Sequence, residues 1–161
     1  MIFDSLLKII FKKLTSGVSQ SEGLQYICQL LFDHIEHYDW VGYYLHNQEK
    51  KELVLNAYIG KPTDHTHIPF GKGICGQVAL SNENFIVDDV NAQENYIACS
   101  LDVKSEIVIP LFVNEHNIGQ IDIDSNRLRA FSEKDATFLG EVNHLVSVSY
   151  THLTLPTILL V

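Results

Sequence analysis

Three acidic residues on a predicted β-hairpin have the clearest potential for chemistry. The hairpin comprises predicted strands at residues 106–113 and 118–124 and a turn at residues 114–117. Symmetric pairing sets Glu106 opposite Asp124, and Asp122, opposite Val108, faces the same side as both. Opposed like charges need a cation, an amine, a shared proton or exposure to water. We therefore predict a ligand site here, the alternative being a hydrated sheet face or a shifted register.

The three cysteines are too few for a disulfide framework and predict free or redox-active thiols in a reducing compartment. Cys28 lies on the apolar stripe of a predicted helix and is assigned to the core. Cys99 lies in a predicted loop before the strand at 106–113. No apolar stripe surrounds it, so a role as a buried core residue explains Cys99 less well than Cys28. The loop position favours a functional role for Cys99.

Cys75 lies in the glycine-rich segment Gly71-Lys-Gly-Ile-Cys-Gly76. The segment matches a dinucleotide-binding pattern, but no βαβ unit surrounds it and the following helix is short. The glycines instead predict a tight turn from strand to helix, which places the Cys75 thiol near backbone N–H groups and Lys72. That environment predicts a stabilised thiolate, with a purely structural thiol as the alternative.

Aromatic and histidine side chains are the remaining candidates. Trp40, Tyr43 and Tyr44 can supply the walls of a pocket beside the carboxylates. His65 and His67 could present two imidazoles on one strand face, but no third metal ligand is identifiable. We therefore predict no metal site and interpret the histidine pair as solvated.

The hydrophobic periodicity predicts the elements that position these residues. Three helices are predicted. The first spans residues 1–14, the second begins at an N-cap at Ser21, and the third begins at Ser132, where Asp135 completes a capping box. Further strands are predicted at 40–45, 53–58 and 85–87. The order of elements predicts an α+β fold, with helices packed on an antiparallel sheet.

Length and charge restrict the classes of function. The chain has 161 residues, 46% of them hydrophobic, which is enough for one domain with its own core. A net charge of −9 argues against a nonspecific nucleic-acid binder. No apolar run is long enough to cross a bilayer, so we expect a soluble protein without a membrane partner.

We expect a single domain over residues 1–148, with N-terminal helices at 1–37 and a core at 39–148. Residues 149–161 leave the helical period, and Pro156 is expected to break a helix there. We interpret these residues as a non-native tail, with a genuine terminal strand as the alternative.

Five segments together resemble the free methionine-(R)-sulfoxide reductases, which are single GAF domains. They lie at residues 40–45, 68–76, 96–99, 105–110 and 119–125. The resemblance implies a central antiparallel sheet with helices and a ligand pocket over the sheet. It also implies catalytic roles for Cys99 and Cys75, and substrate binding by Trp40, Tyr44, Glu106, Asp122 and Asp124.

The implied reaction is reduction of free methionine-(R)-sulfoxide through a thiolate, a sulfenic acid and a disulfide. Cys99 is our candidate for the attacking thiolate, although spacing alone leaves the order of Cys99 and Cys75 open. Thioredoxin is the expected reductant, no cofactor is expected to be bound, and a cytoplasmic location follows from the free thiols. The apolar N-terminal helix predicts a homodimer.

The chain departs from the family pattern at three places. His65 stands where a third cysteine is usual, residues 56–60 replace the usual Gly-Pro-Phe-Gln-Gly loop, and Ser100 replaces an aspartate. These differences leave open a GAF-type sensor or binding module that keeps the pocket without efficient catalysis.

Overall fold

A computed structural model describes the backbone over residues 2–94 and 101–160, and the side chains as far as residue 151. The helices are α1 (Ile2–Leu14), α2 (Gln20–His34), α3 (Gly73–Ser81) and α4 (Glu133–Leu160), with a 3₁₀ turn at Val90–Ala92. The strands are β1 (Trp40–Asn47), β2 (Glu52–Ile59), β3 (His67–Pro69), β4 (Phe85–Val87), β5 (Ser105–Val113) and β6 (His116–Ser125).

The strands form one antiparallel sheet in the order β3-β2-β1-β6-β5-β4, which confirms the α+β class. The predicted hairpin register is also confirmed, because Glu106 pairs with Asp124 and Val108 with Asp122. The predicted turn at 114–117 is too long. The register shifts after Leu111, and the turn narrows to Asn114 and Glu115, both with positive φ.

The two faces of the sheet carry different layers. Helices α1, α2 and α4 cover one face, where they bury a large apolar core that includes Ile107, Ile109 and Ile121. Helix α3 packs over the other face against a smaller apolar cluster. The hairpin therefore separates its apolar side chains from its acidic ones, as strict alternation along a strand requires.

The helix boundaries are partly as predicted. Ser132 caps α4, and its backbone N–H donates to Asp135 Oδ2 at 3.0 Å, which confirms the capping box. The predicted N-cap at Ser21 is wrong, because Ser19 accepts the capping hydrogen bond from Glu22 N–H at 3.2 Å. The sequence Ser19-Gln20-Ser21-Glu22 already contains the serine-to-glutamate spacing of a capping box.

The expected helix break near Pro156 and the alternative of a terminal strand are both wrong, because α4 runs to Leu160. A proline removes one backbone donor, and here the helix continues through it. Among the described residues, none of the helices combines the length and apolarity needed to cross a membrane.

Candidate active site

The site is built around the acidic face of the β5–β6 hairpin. Glu106 is 4% exposed, and Asp122 and Asp124 are each 1% exposed, so the alternative of a hydrated sheet face is wrong. Cross-strand pairing holds Glu106 and Asp124 side by side. Asp122 precedes Asp124 by two residues on β6, so its side chain lies on the same face of the sheet. Three carboxyl groups therefore share one buried surface, which is unfavourable unless protons or a bound cation neutralise them.

Helix α3 brings Cys75 onto these carboxyl groups. The Cys75 thiol donates to Asp122 Oδ2 at 3.3 Å and lies 3.9 Å from Glu106 Oε2. The preceding turn is tight, because Gly76 O accepts from Gly71 N–H at 2.8 Å. A Cβ on Gly76 would lie 2.7 Å from Pro69 O, so only glycine permits this approach of α3 to the loop before it.

The predicted stabilisation of the Cys75 thiolate is wrong. Burial raises the pKa of the Cys75 thiol well above its usual value, and the neighbouring charges of Asp122 and Glu106 raise it further. The turn does put Cys75 in the first turn of α3, but the nearest charged groups are negative. Cys75 is consequently a neutral thiol and a hydrogen-bond donor at neutral pH.

Burial also raises the pKa of both aspartates. For Asp122, a hydrogen bond with Glu106 and one donated by the Cys75 thiol partly oppose this rise in pKa. The pKa of Asp124 lies well above its usual value because of burial and the charge of Asp122, which the Glu106 carboxyl only partly offsets. Apart from the Glu106 carboxyl, no described group forms a hydrogen bond with Asp122 Oδ1 or with either carboxyl oxygen of Asp124. These atoms provide acceptor capacity for a cationic or donating ligand.

Trp40 and Tyr44 line the same face of the sheet on β1. Trp40 pairs with Asp124 in the neighbouring strand, its ring centroid is 6.4 Å from that of Tyr44, and its Nε1 donates to Lys61 O at 3.1 Å. The Trp40 ring lies across Gly42, where an added Cβ would come within 2.3 Å of it. The aromatic wall thus adjoins the carboxylates.

Tyr43 does not belong to this wall, contrary to the sequence prediction. It points into the opposite core, where its hydroxyl donates to Asn143 Oδ1 at 2.7 Å. Alternation along β1 sends adjacent residues to opposite faces, so Tyr43 and Tyr44 cannot share one pocket wall.

Sequence reasoning missed Gln120, which is fully buried on the acidic face of β6. Its Nε2 donates to the Cys75 carbonyl oxygen at 3.1 Å, which ties α3 to the sheet. The signal was available, since Gln120, Asp122 and Asp124 occupy alternate positions and face one side.

The other predicted residues have separate outcomes. Cys28 is fully buried in the core opposite the site, as predicted. The His65 backbone carbonyl accepts from the Tyr44 hydroxyl at 2.8 Å, and His67 is exposed on the short edge strand β3. Cys99 lies outside the described residues, so its position relative to Cys75 stays a prediction.

Comparisons with known proteins agree with this geometry. A model of the GAF domain matches residues 21–149. GAF domain-containing protein A of Dictyostelium discoideum is 36% identical over 144 residues, which cover 89% of each chain. The free methionine-R-sulfoxide reductase of Escherichia coli is 37% identical over 113 residues, 70% of this chain and 67% of that protein.

Structural similarity extends over most of the chain. The free methionine-R-sulfoxide reductase of Neisseria meningitidis, in a crystal structure with its substrate, superposes with a TM-score of 0.88 and 34% identity. The match covers 92% of this chain and 88% of the Neisseria chain. The sheet, the helices and the face that carries the carboxylates therefore lie in a fold that is shared with these proteins.

Proposed function

This chain belongs to the GAF domain family, and we propose that it reduces free methionine-(R)-sulfoxide to methionine. The observation that carries the proposal is the buried carboxyl cluster beside Cys75, in which no described basic group or backbone N–H bonds to the Asp124 carboxyl. A substrate ammonium group would supply the missing charge and donors. Similarity to proteins named as free methionine-R-sulfoxide reductases supports the same substrate.

Binding of the free amino acid follows from the chemistry of the face. The ammonium group is held by Glu106, Asp122 and Asp124, which an amide nitrogen within a peptide could not satisfy. The Trp40 and Tyr44 rings contact the methyl-sulfoxide end through apolar and sulfur–aromatic interactions. The site is therefore selective for free methionine sulfoxide over the same residue in a polypeptide.

The redox cycle assigns different roles to the two cysteines. The Cys99 thiolate attacks the sulfoxide sulfur and takes its oxygen, so methionine leaves and Cys99 becomes a sulfenic acid. The Cys75 thiol then condenses with the sulfenic acid, which forms a disulfide and releases water. The raised pKa of Cys75 supports this order, because a neutral thiol is a poor first nucleophile.

Two further groups complete the cycle. A protonated Asp122 or Asp124 carboxyl donates a proton to the sulfoxide oxygen as the sulfur–oxygen bond breaks, and the raised pKa of these two groups favours the protonated form. The dithiol of thioredoxin then reduces the disulfide and returns both cysteines to thiols. We place this cycle in the cytoplasm, where both reductant and free thiols are maintained.

The deciding experiment measures consumption of free methionine-(R)-sulfoxide by purified protein with dithiothreitol or thioredoxin. We expect turnover of the (R) epimer only, its loss in Cys99→Ser, and retention in the matched control Cys28→Ala. Cys75→Ser is expected to complete one reduction per chain and then stop with thioredoxin. Absence of turnover in the unmutated protein would contradict the proposal.

A GAF-type binding module without catalysis is the second candidate, favoured by His65 at the position where the resembled family usually has a third cysteine. It predicts thermal stabilisation by a small amine-containing molecule that is not consumed. This shift should be lost in Glu106→Ala and kept in Glu49→Ala, whose side chain is exposed in the β1–β2 turn.

We also propose that the chain forms a homodimer through α1 and α4. A groove of about 560 Å³ between these helices is lined by Leu7, Phe11 and Leu145, and Phe11 is 56% exposed. Exposed aromatic surface of this kind is typical of protein contacts. Phe11→Asp is expected to convert a dimer to a monomer in sedimentation analysis, and a wild-type monomer would refute the assignment.

A further inference from the structure

The thiol of Cys75 and the carboxyl groups of Glu106 and Asp122 form a compact donor set. One ligand atom from each residue lies within 4.8 Å of the other two. The two distances from Cys75 Sγ are 3.3 Å to Asp122 Oδ2 and 3.9 Å to Glu106 Oε2. In a tetrahedral zinc site the sulfur and oxygen ligands are about 3.5 Å apart, given Zn–S of about 2.3 Å and Zn–O of about 2.0 Å. The donors are thus already near the required spacing.

A second observation points to a missing cation. Asp124, 1% exposed and paired with Glu106 across the strands, has only this other acidic group against it, and no basic group or backbone N–H among the described residues bonds to either of its carboxyl oxygens. Asp122 Oδ1 is likewise buried without a partner in that part of the chain. None of the ion pairs formed between described residues involves either aspartate. The site therefore concentrates acidic groups that no basic group among the described residues pairs with.

We propose that the reduced protein binds a zinc ion through Cys75 Sγ, Asp122 and Glu106, with Asp124 adding negative charge beside it. The mixed sulfur and oxygen donors and the small ligand number suit Zn²⁺, whereas Mg²⁺ and Ca²⁺ require more oxygen ligands. On binding, the Cys75 thiol loses its proton to solvent and the thiolate coordinates the metal. Three protein ligands leave the fourth tetrahedral position to water.

The consequence for activity rests on the proposed reductase function. Zinc would occupy the carboxylates that hold the substrate ammonium group and would block the thiol that forms the disulfide. It therefore inhibits in competition with methionine sulfoxide. Oxidation of Cys75 to a disulfide removes the thiolate ligand and releases the ion, so binding is confined to the reduced enzyme.

Cobalt substitution tests the site independently of catalysis. We expect the reduced, metal-free protein to bind one Co²⁺ per chain, with a thiolate-to-cobalt charge-transfer band in the near ultraviolet that Zn²⁺ abolishes. Binding to surface histidines gives no such band. The absence of a thiolate band at saturating Co²⁺ would overturn the proposal.

Three variants assign the ligands. Cys75→Ser should lose the charge-transfer band, whereas Cys28→Ala and Cys99→Ser should retain it. Asp122→Asn should keep a cysteine thiol yet bind Zn²⁺ more weakly in competition with a chromophoric chelator. Far-ultraviolet circular dichroism verifies that each variant is folded. Retention of the band in folded Cys75→Ser, or unchanged zinc affinity in Asp122→Asn, would refute the assignment.

A separate kinetic arm connects the ion to function. Added Zn²⁺ should raise the apparent KM for methionine sulfoxide, and a chelator should reverse the effect. Turnover that is insensitive to zinc, in protein without the cobalt band, would refute the zinc site and leave the reductase proposal standing. A cobalt band in protein without turnover would refute the reductase proposal and leave the metal site standing.

Discussion

Asp135 and Asp124 are both buried acidic residues, but they lie in the two different layers of the molecule. Asp135, at the start of α4, accepts from the Tyr38 hydroxyl at 2.7 Å and from the Ser132 N–H at 3.0 Å. Asp124, on the opposite face of the sheet, has neither oxygen satisfied within the described part of the chain. The first carboxylate contributes to the fold, and the second is left available for a ligand.

The buried thiols show the same contrast. Cys28 and Cys75 both have a raised pKa, and burial is the main cause for each. Cys28 lies in the apolar core, with the Ala57 carbonyl oxygen 3.9 Å away, whereas Cys75 contacts two carboxyl groups. On the face covered by α1, α2 and α4, Asp135 and Cys28 thus have their partners within the protein. The face covered by α3 keeps buried carboxyl oxygens that no basic group or backbone donor among the described residues bonds.

The largest effect on substrate binding is expected from neutralising the unsatisfied carboxylate. Asp124→Asn should weaken substrate binding by about 2 kcal/mol, because one charge facing the ammonium is lost. This corresponds to a rise of about thirtyfold in KM. The same change should raise the free energy of unfolding without substrate by about 1–3 kcal/mol, because a buried charge is removed. Kinetics and urea unfolding measure the two effects, with Glu49→Gln as control. A lower free energy of unfolding for Asp124→Asn than for the wild type, both without substrate, would show that Asp124 stabilises the fold as Asp135 does.

The satisfied carboxylate should behave in the opposite way. Asp135→Ala leaves the buried Tyr38 hydroxyl without its acceptor and removes the capping interaction, so the free energy of unfolding should fall by about 2–4 kcal/mol. The KM for substrate should not change in the folded fraction. Glu133→Ala, an exposed change in the same helical turn, is the matched control. A loss of stability no larger than in the control would show that the Asp135 contacts are not needed.

The smallest effect is a dependence of stability on pH. Because the pKa of Asp124 and Asp122 is raised in the folded state, the folded protein binds more protons than the unfolded chain above about pH 4. Their contribution is fully present below that pH and is lost as the pH rises through the folded pKa. The slope is at most about 1.4 kcal/mol per pH unit for each proton. Urea unfolding with a chelator, from pH 4 to 8, should show this decline, and Asp124→Asn should reduce it. If the free energy of unfolding of Asp124→Asn falls with pH as steeply as that of the wild type, the pH dependence comes from groups other than Asp124.

Local patterns were enough to predict much of the site. The Glu106–Asp124 pairing follows from a short hairpin, in which the turn and the period of two determine the register. The same alternation could have identified Gln120 and excluded Tyr43 from the pocket. Both placements follow from the alternation of side chains along a strand, which the sequence alone specifies.

The state of Cys75 could not be read from its local sequence. The glycine-rich turn indicates nearby N–H groups and Lys72, whereas the groups that raise the pKa of Cys75 are 31 and 47 residues away in the chain. Contacts between distant segments depend on how α3 packs against the sheet. The chemical state of a thiol therefore depends on neighbours that no local motif specifies.

By itself the sequence determined most of the elements, the hairpin register and the gathering of three carboxylates on one face, since these follow from short-range periodicity. The tertiary structure decided that α3 covers that face, that the carboxylates are buried rather than hydrated, and that Cys75 lies among them as a thiol. Burial is a property of the whole packed chain, and burial turns an acidic strand pattern into a carboxyl cluster in which the pKa values of Asp122 and Asp124 are raised.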